Sequence, residues 1–289
     1  MKPDLRAKPS WRSKQSTIMS VLMGLAVVAI AIPLLAVIYS VVSRGAAVAF
    51  TSFPDFFTAD IPAISRRAGP GMGPAIIGTL IVTSAATLIA VPLGVLGAVY
   101  LHEYGGTSKF ARAVRFLSMV MTGVPSIVMG LFVYLLWTMR FGYSAFGGAL
   151  ALACLMLPVV IGSTEQMLKL VPTQLREAAY ALGATKSRTI LTVVLPAALP
   201  GIVSGALLAV ARAAGETAPL LFAVGAAKAM NPHLFDQANT ALSLQIFSSD
   251  LAFPAAESRA WGAALTLVLL TFLLTFVARV FTARFALKR

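Results

Sequence analysis

The sequence predicts an all-α membrane protein whose six transmembrane helices pack into one bundle. Three observations carry this. The 289 residues are 58% hydrophobic and only 11% charged, with a mean hydropathy of +0.87, whereas soluble globular chains carry about 25% charged residues. Six apolar stretches, near 18–42, 75–101, 116–138, 146–162, 198–224 and 260–283, approach the roughly 20 residues that cross a ~30 Å hydrocarbon core. Inside lipid every backbone N–H and C=O needs a partner, which leaves helices as the solution for segments of this length.

The net charge of +13 is a topology signal rather than a nucleic-acid signal. Sixteen Lys/Arg lie in the 1–17 segment, the 102–115 and 163–197 loops and the C-terminal tail, all on one side when the number of spans is even. The opposite loops hold six: Arg44, Arg66, Arg67, Arg140, Lys228 and Arg259. The positive-inside rule places both termini and the 163–197 loop in the cytoplasm, with some attraction to anionic lipid. The first span follows a basic segment as a signal peptide would, but at about 25 residues it exceeds a 7–15-residue signal core and reads as a retained anchor.

The elements follow in order. Residues 1–17 form a cytoplasmic segment, and 18–70 supply the first helix and an outer loop. That loop ends in Gly69-Pro70-Gly71-Met72-Gly73-Pro74, which fits either an anion-cradling run of backbone N–H groups or a turn placing Pro74 at a helix start. In the second span Pro92 and Gly94 interrupt the helix, Gly123-Val124-Pro125-Ser126 does so in the third, and Pro158 in the short fourth. Proline frees a backbone carbonyl and kinks a helix. Three kinked spans fit a bundle bending around a pathway, or packing geometry alone.

The loop between the fourth and fifth spans is the most informative stretch. After Pro172, Leu175, Ala178, Ala179 and Leu182 recur at helical spacing beside Arg176 and Glu177, and Gly183 ends the helix or admits another backbone closely. A second apolar segment, Ile190 to Leu195, stops at Pro196. So short an amphipathic helix is marginal alone. It gains purpose if it docks into a partner's groove; the other reading lays it on the membrane surface, against which its mixed-sign polar face counts.

Within this loop Glu177-Ala178-Ala179, Gly183 and Leu195-Pro196, with Val193 at the Ile position, fit the E-A-A-x3-G-x9-I-x-L-P signature. The chain thereby resembles the permeases of ABC importers. It resembles phosphate-importer permeases more closely through Gly73-Pro74-Ala75-Ile76-Ile77-Gly78-Thr79-Leu80, the run from Val124 to Phe132, and the run from Ala211 to Leu221. The likeness covers roughly residues 70–285. It implies a type I importer bundle over 71–285 in a bacterial cytoplasmic (inner) membrane, with the 172–196 loop as a coupling helix. It implies as partners a second homologous permease subunit, two ATP-binding subunits and an external phosphate-binding protein, with phosphate as cargo. ATP and Mg would sit on the ATP-binding subunits. No G-x-x-x-x-G-K-S/T sequence occurs in this chain, so no P-loop is expected here.

Arg212 and Glu216 are the only ionisable residues well inside a span. Counting 1.5 Å per residue from Leu199 puts Arg212 about 20 Å into the fifth helix, where a charge costs roughly 3 kcal/mol. One reading is an ion pair with another helix. The other is an anion pathway through Arg212, Glu216 and Thr217. The planar guanidinium suits phosphate, and a carboxylate accepts the P–O–H that phosphate carries and sulfate lacks. Gly215 and Pro219 flank Glu216 and can open the helix there. The outer loop 225–259, with Phe235, Phe247 and Phe253, is either a docking surface for the binding protein or a loop folded onto its own spans. Sulfate, molybdate or phosphonate permeases share the same coupling loop, and a passive channel would not need one. Lone Cys154 forms no intrachain disulfide, and His102 and His233 fall on opposite sides, so neither a metal site nor a catalytic constellation is indicated.

Overall fold

A computed structural model describes residues 11–64, 67, 69–249 and 252–286; most of the expected N-terminal segment 1–17 lies outside them. Five helical stretches are long and apolar enough to cross a membrane: Lys14–Thr51, Gly73–Tyr104, Ala145–Lys169, Lys186–Ala214 and Pro254–Val280. The remaining expected span, the third (116–138), is a pair of helices bent by 110°, α4 (Lys109–Gly123) and α5 (Ser126–Val133), the latter continuing through a π-helical turn into α6 (Met139–Phe141). This corrects the expectation of a single kinked helix. Pro125 has no N–H and pushes the preceding residue out of helical space, and Val124 is accordingly extended, with φ −73° and ψ 129°.

The first helix, α1 (Trp11–Thr51), runs 41 residues, about 60 Å at 1.5 Å per residue and well past its expected ends. Ile18, Leu25, Ile32 and Leu35 are all more than half exposed. It is fastened mainly to the last helix, which we number α13 (Pro254–Ala286): Arg44 meets Glu257 at 3.3 Å and lies 5.0 Å over the Trp261 ring. A short α2 (Asp55–Thr58) seats the fully buried Phe56 below it.

The centre of the bundle is α3 (Gly73–Val99) against α7 (Ala145–Lys169), joined by α10 (Leu195–Ala214). Their buried faces are built from Ala86, Ala90, Ala149, Ala153 and Ala213 around Val82, Met156 and Val210. Small residues let transmembrane helices approach closely where lipid offers no hydrophobic drive. Pro92 and Pro158 lie within unbroken helices, so neither interrupts its span as expected. Gly94 serves packing: a Cβ there would stand 2.7 Å from Val160 Cγ1 on α7.

The fifth span also departs from expectation. Helix continues from α9 (Lys186–Thr189) through a π-helical turn, Ile190–Val194, into α10, so Pro196 does not stop it. The π-helical turn immediately before Pro196 supplies the local adjustment by which a membrane helix continues past a residue that has no N–H. At the other end the helix closes at Ala214, and the chain restarts as α11 (Ala218–Ala223). The segment after α11 then folds back over the bundle on buried amides. Asn231 donates to the carbonyls of Asp236 and Ala238, Asn239 to that of Asn231, and Gln245 of α12 (Leu242–Ser248) to Thr240 Oγ1.

Candidate translocation site and coupling surface

The two helix breaks lie side by side. Gly130 of α5 packs so closely on α11 that a Cβ would sit 2.7 Å from Pro219 Cα. Gly215 closes α10 and Pro219 falls in the first turn of α11, so the helix parts at Glu216 as the flanking residues suggest. Glu216 is therefore not on the same helix as Arg212, and Arg212 occupies the last turn of α10, where the negative end of the helix dipole favours a cation.

Between these breaks and α7 lies a cavity of about 240 Å³, several waters in size. Arg212 and Glu216 line it with Met121, Thr122, Ser126, Met156 and Pro158. Arg212 Nε stands 3.9 Å from Glu216 Oε1, the outer limit of an ion pair, and the Arg212 side chain is 75% exposed against 23% for Glu216. Among the described residues the guanidinium makes no hydrogen bond, so its donors are available to another molecule. The Glu216 carbonyl accepts from the Ser243 hydroxyl of α12 at 2.8 Å, which ties the break to α12. Thr217, partly buried at the start of α11, is not brought into the cavity lining. Thr122 and Ser126 do line it; they flank the Gly123-Val124-Pro125 break, so that sequence marks a wall of the cavity as well as a bend. Among the described residues no group of three or more His, Cys, Asp or Glu is placed to hold a metal ion.

At the opposite end of the bundle the loop after α7 folds as α8 (Thr173–Ala181). Gly183 closes it with φ +80°, its N–H donating to Tyr180 O at 2.9 Å and the Ala184 N–H to Ala179 O at 3.0 Å. This pair of bonds is the Schellman closure, which requires a left-handed residue and so favours glycine. Glu177, Ala178 and Gly183 are exposed, and Leu182 is 90% exposed. Ala179 and Leu195 turn inward. Ala179 is buried, and Leu195 packs on Leu168, Val171, Val194 and Ala198 at the base of the bundle. Pro196 is exposed. The expected Ala-rich docking face is thus divided, with Ala178 outward and Ala179 holding α8 to its own chain. In the 225–259 segment Phe235 packs against Phe146 with ring centroids 4.8 Å apart and planes tilted by 39°, while Phe247 is 66% exposed.

Sequence reasoning passed over Arg176 as a polar neighbour of the motif. Its side chain is only 15% exposed and points inward, donating to Val171 O at 2.7 Å, to Leu168 O at 3.1 Å and to Glu103 Oε1 at 3.0 Å.

A helical bundle with a charged cavity between two broken spans, and an exposed amphipathic helix at one end, fits a membrane-embedded transport subunit. Residues 90–287 match the binding-protein-dependent transport system inner membrane component family, and the chain belongs to that family. Its relatives include the phosphate transport system permease protein PstA of Mycobacterium leprae, 46% identical over 244 residues that cover 83% of this chain and 79% of that protein. The PstA of Yersinia pestis is 37% identical over 297 aligned positions, covering 96% of this chain and 94% of that protein. Among solved structures, the inward-facing MetNI methionine ABC transporter shares the fold, with a TM-score of 0.57 at 21% identity, covering 72% of this chain and 91% of that chain.

Proposed function

We propose that this chain is the permease subunit of an ATP-driven importer that carries inorganic phosphate across a bacterial cytoplasmic membrane, with both termini in the cytoplasm. The observation that carries the reading is Arg212: a three-quarters exposed guanidinium at a helix break, open to a cavity it shares with Glu216. A charge facing lipid costs roughly 3 kcal/mol. Arg212 is economical only if its face is covered by a second, homologous permease subunit and wetted by a pathway between the two. The phosphate-transport names of relatives aligned over most of the chain support the same cargo.

In this reading an external binding protein supplies affinity and delivers phosphate at the outer loops. Arg212 draws the anion in with a two-pronged hydrogen bond. Glu216 accepts the remaining P–O–H, which sulfate cannot offer, so sulfate meets an uncompensated carboxylate. Two ATP-binding subunits carry ATP and Mg, and they engage Glu177, Ala178, Leu182 and Gly183 on α8, with the inward Ala179, Leu195 and the adjoining Pro196 transmitting the motion. This chain supplies no hydrolytic chemistry of its own.

The test is radiolabelled phosphate uptake by proteoliposomes that hold the assembled complex, comparing wild type with Arg212→Gln under excess sulfate. Uptake that sulfate leaves intact, and that is lost in the assembled variant, is the expected result. Full uptake by the variant makes Arg212 a structural residue. A wild-type complex that ignores phosphate redirects the reading to sulfate, molybdate or a phosphonate, and uptake without nucleotide makes it a channel.

A further inference from the structure

The end of the bundle that holds α8 carries a set of charges that the motif does not account for: Arg176, Glu103 and Glu165 largely buried, and Arg115 40% exposed. Arg176, on α8, spends its guanidinium on the carbonyls of Leu168 and Val171, just beyond or within the end of α7, and on Glu103, whose side chain is 8% exposed. Glu103 lies in the π-helical turn Tyr100–Tyr104 that finishes α3. From that same turn the Leu101 carbonyl accepts a hydrogen bond from Arg115 Nη2 of α4 at 2.7 Å, and Arg115 Nε donates to Glu165 of α7 at 3.0 Å. One π-helical turn is therefore gripped from below by α8 and from the side by α4. The far end of α4 carries Met121 and Thr122, two walls of the charged cavity. An arginine fork satisfied at three acceptors has little freedom to slide, and with Arg176 and Glu103 only 15% and 8% exposed, removing one leaves the other poorly solvated.

We propose that Arg176 and Arg115 are positioning residues forming a relay: movement of α8 is passed through the Tyr100–Tyr104 turn to α4 and so to the Met121–Ser126 wall of the cavity. The relay rests on the reading of α8 as the docking element for the ATP-binding subunits. It predicts that α8 and α4 of one chain move together when nucleotide binds, and that Arg176 sets the phosphate moved per ATP hydrolysed rather than assembly.

Two measurements on the assembled complex in proteoliposomes test it. In the first, phosphate uptake and ATP hydrolysis are measured together for wild type, Arg176→Gln, Arg176→Lys and Gly183→Asp. Arg176→Gln should lower the ratio of uptake to hydrolysis by about tenfold, the scale of losing one member of a coupling network, and Arg176→Lys by less, because one ammonium replaces a three-way fork. A structural role alone would lower both activities in proportion, and an unchanged ratio in Arg176→Gln with coupling lost in Gly183→Asp overturns the relay while leaving docking intact. An unchanged ratio in both variants overturns the docking reading and the relay with it. In the second, spin labels at the exposed positions Gln174 and Ala113 report the α8–α4 distance by pulsed electron resonance. A wild-type distance that stays constant between nucleotide-free and ATP-bound states, and broadens in Arg176→Gln, supports the relay. A wild-type distance that changes with nucleotide overturns it, whatever the folding of the variants.

Discussion

Gly130→Ala gives the most direct test of how the cavity is built. A methyl at this position of α5 would lie 2.7 Å from Pro219 Cα and 2.9 Å from Pro219 O, whereas carbon atoms in contact settle at about 3.5–4.0 Å. The neighbour cannot yield by rotating a side chain, because it is backbone held in a proline ring. Relief requires α5 and α11 to part by roughly 1 Å, and overpacking of this kind costs about 1–3 kcal/mol. Pro219 stands three residues after Glu216, so the shift is felt at the helix break, where a misplacement of about 1 Å is worth as much as a hundredfold in rate.

The control is Gly97→Ala on α3. Its added methyl would meet Ile161 at 3.7 and 3.8 Å, an ordinary contact, and both sites gain the same helix propensity. Melting in detergent and phosphate uptake in proteoliposomes are measured for both variants. Gly130→Ala should melt several degrees below Gly97→Ala, at about 2–4 °C per kcal/mol, and should lose most of its uptake while still assembling. Equal melting points with equal uptake would refute the close approach of α5 to α11 and the claim that it shapes the cavity.

Three further outcomes follow from the same geometry. Glu216→Gln should keep phosphate uptake measurable but make it sensitive to excess sulfate, because the amide can donate where the carboxylate repels; continued indifference to sulfate would remove Glu216 from selectivity. Gly183→Ala forces a side chain into a left-handed residue at φ +80°, costing about 1 kcal/mol of local strain, and should weaken association of the ATP-binding subunits in pull-down more than it lowers the melting point. Thr79→Val removes the hydroxyl that accepts from the Leu242 N–H at 2.8 Å and donates to Ala75 O at 2.7 Å. A buried N–H left without a partner costs about 1–3 kcal/mol, so the melting point should fall, and Thr79→Ser should restore it.

Much of this architecture is legible in the sequence because lipid makes the rules strict. Apolar length predicts the helices, and Gly215 with Pro219 marks the place where the fifth span opens. The end of α8 is legible because its glycine has a backbone reason, the Schellman closure at φ +80°. What the sequence hides is direction. Arg176 and Glu177 are adjacent polar residues on one short helix, yet one is buried against two carbonyls and a carboxylate and the other is exposed; periodicity over nine residues does not separate them. Thr122 and Ser126 reach the cavity only because α4 and α5 meet at 110°, an angle that a Pro-containing run permits but does not specify. Pro196 misleads for the opposite reason: a proline that would break a regular helix is carried by the π-helical turn before it, and that local widening leaves no mark in the sequence.

That last point decides how motion could reach the charged site. Were the helix to stop at Pro196, the 172–196 loop and Arg212 would lie on separate bodies joined by a hinge, and displacement of the loop would be absorbed there. Instead helix runs from Lys186 to Ala214, and its first turns are clamped to the base of the bundle through Val194, Leu195 and Ala198. A push at the loop therefore travels along one rod of about 40 Å to the turn that carries Arg212. The second route, through Arg176, the Tyr100–Tyr104 turn and α4, ends at Met121 and Thr122 on the facing wall of the same cavity. Both walls of the cavity are therefore tied to the 172–196 segment, the Arg212 wall along the rod and the α4 wall through the relay, so a variant that loosens only one route, such as Arg176→Gln, disturbs one wall without detaching the other.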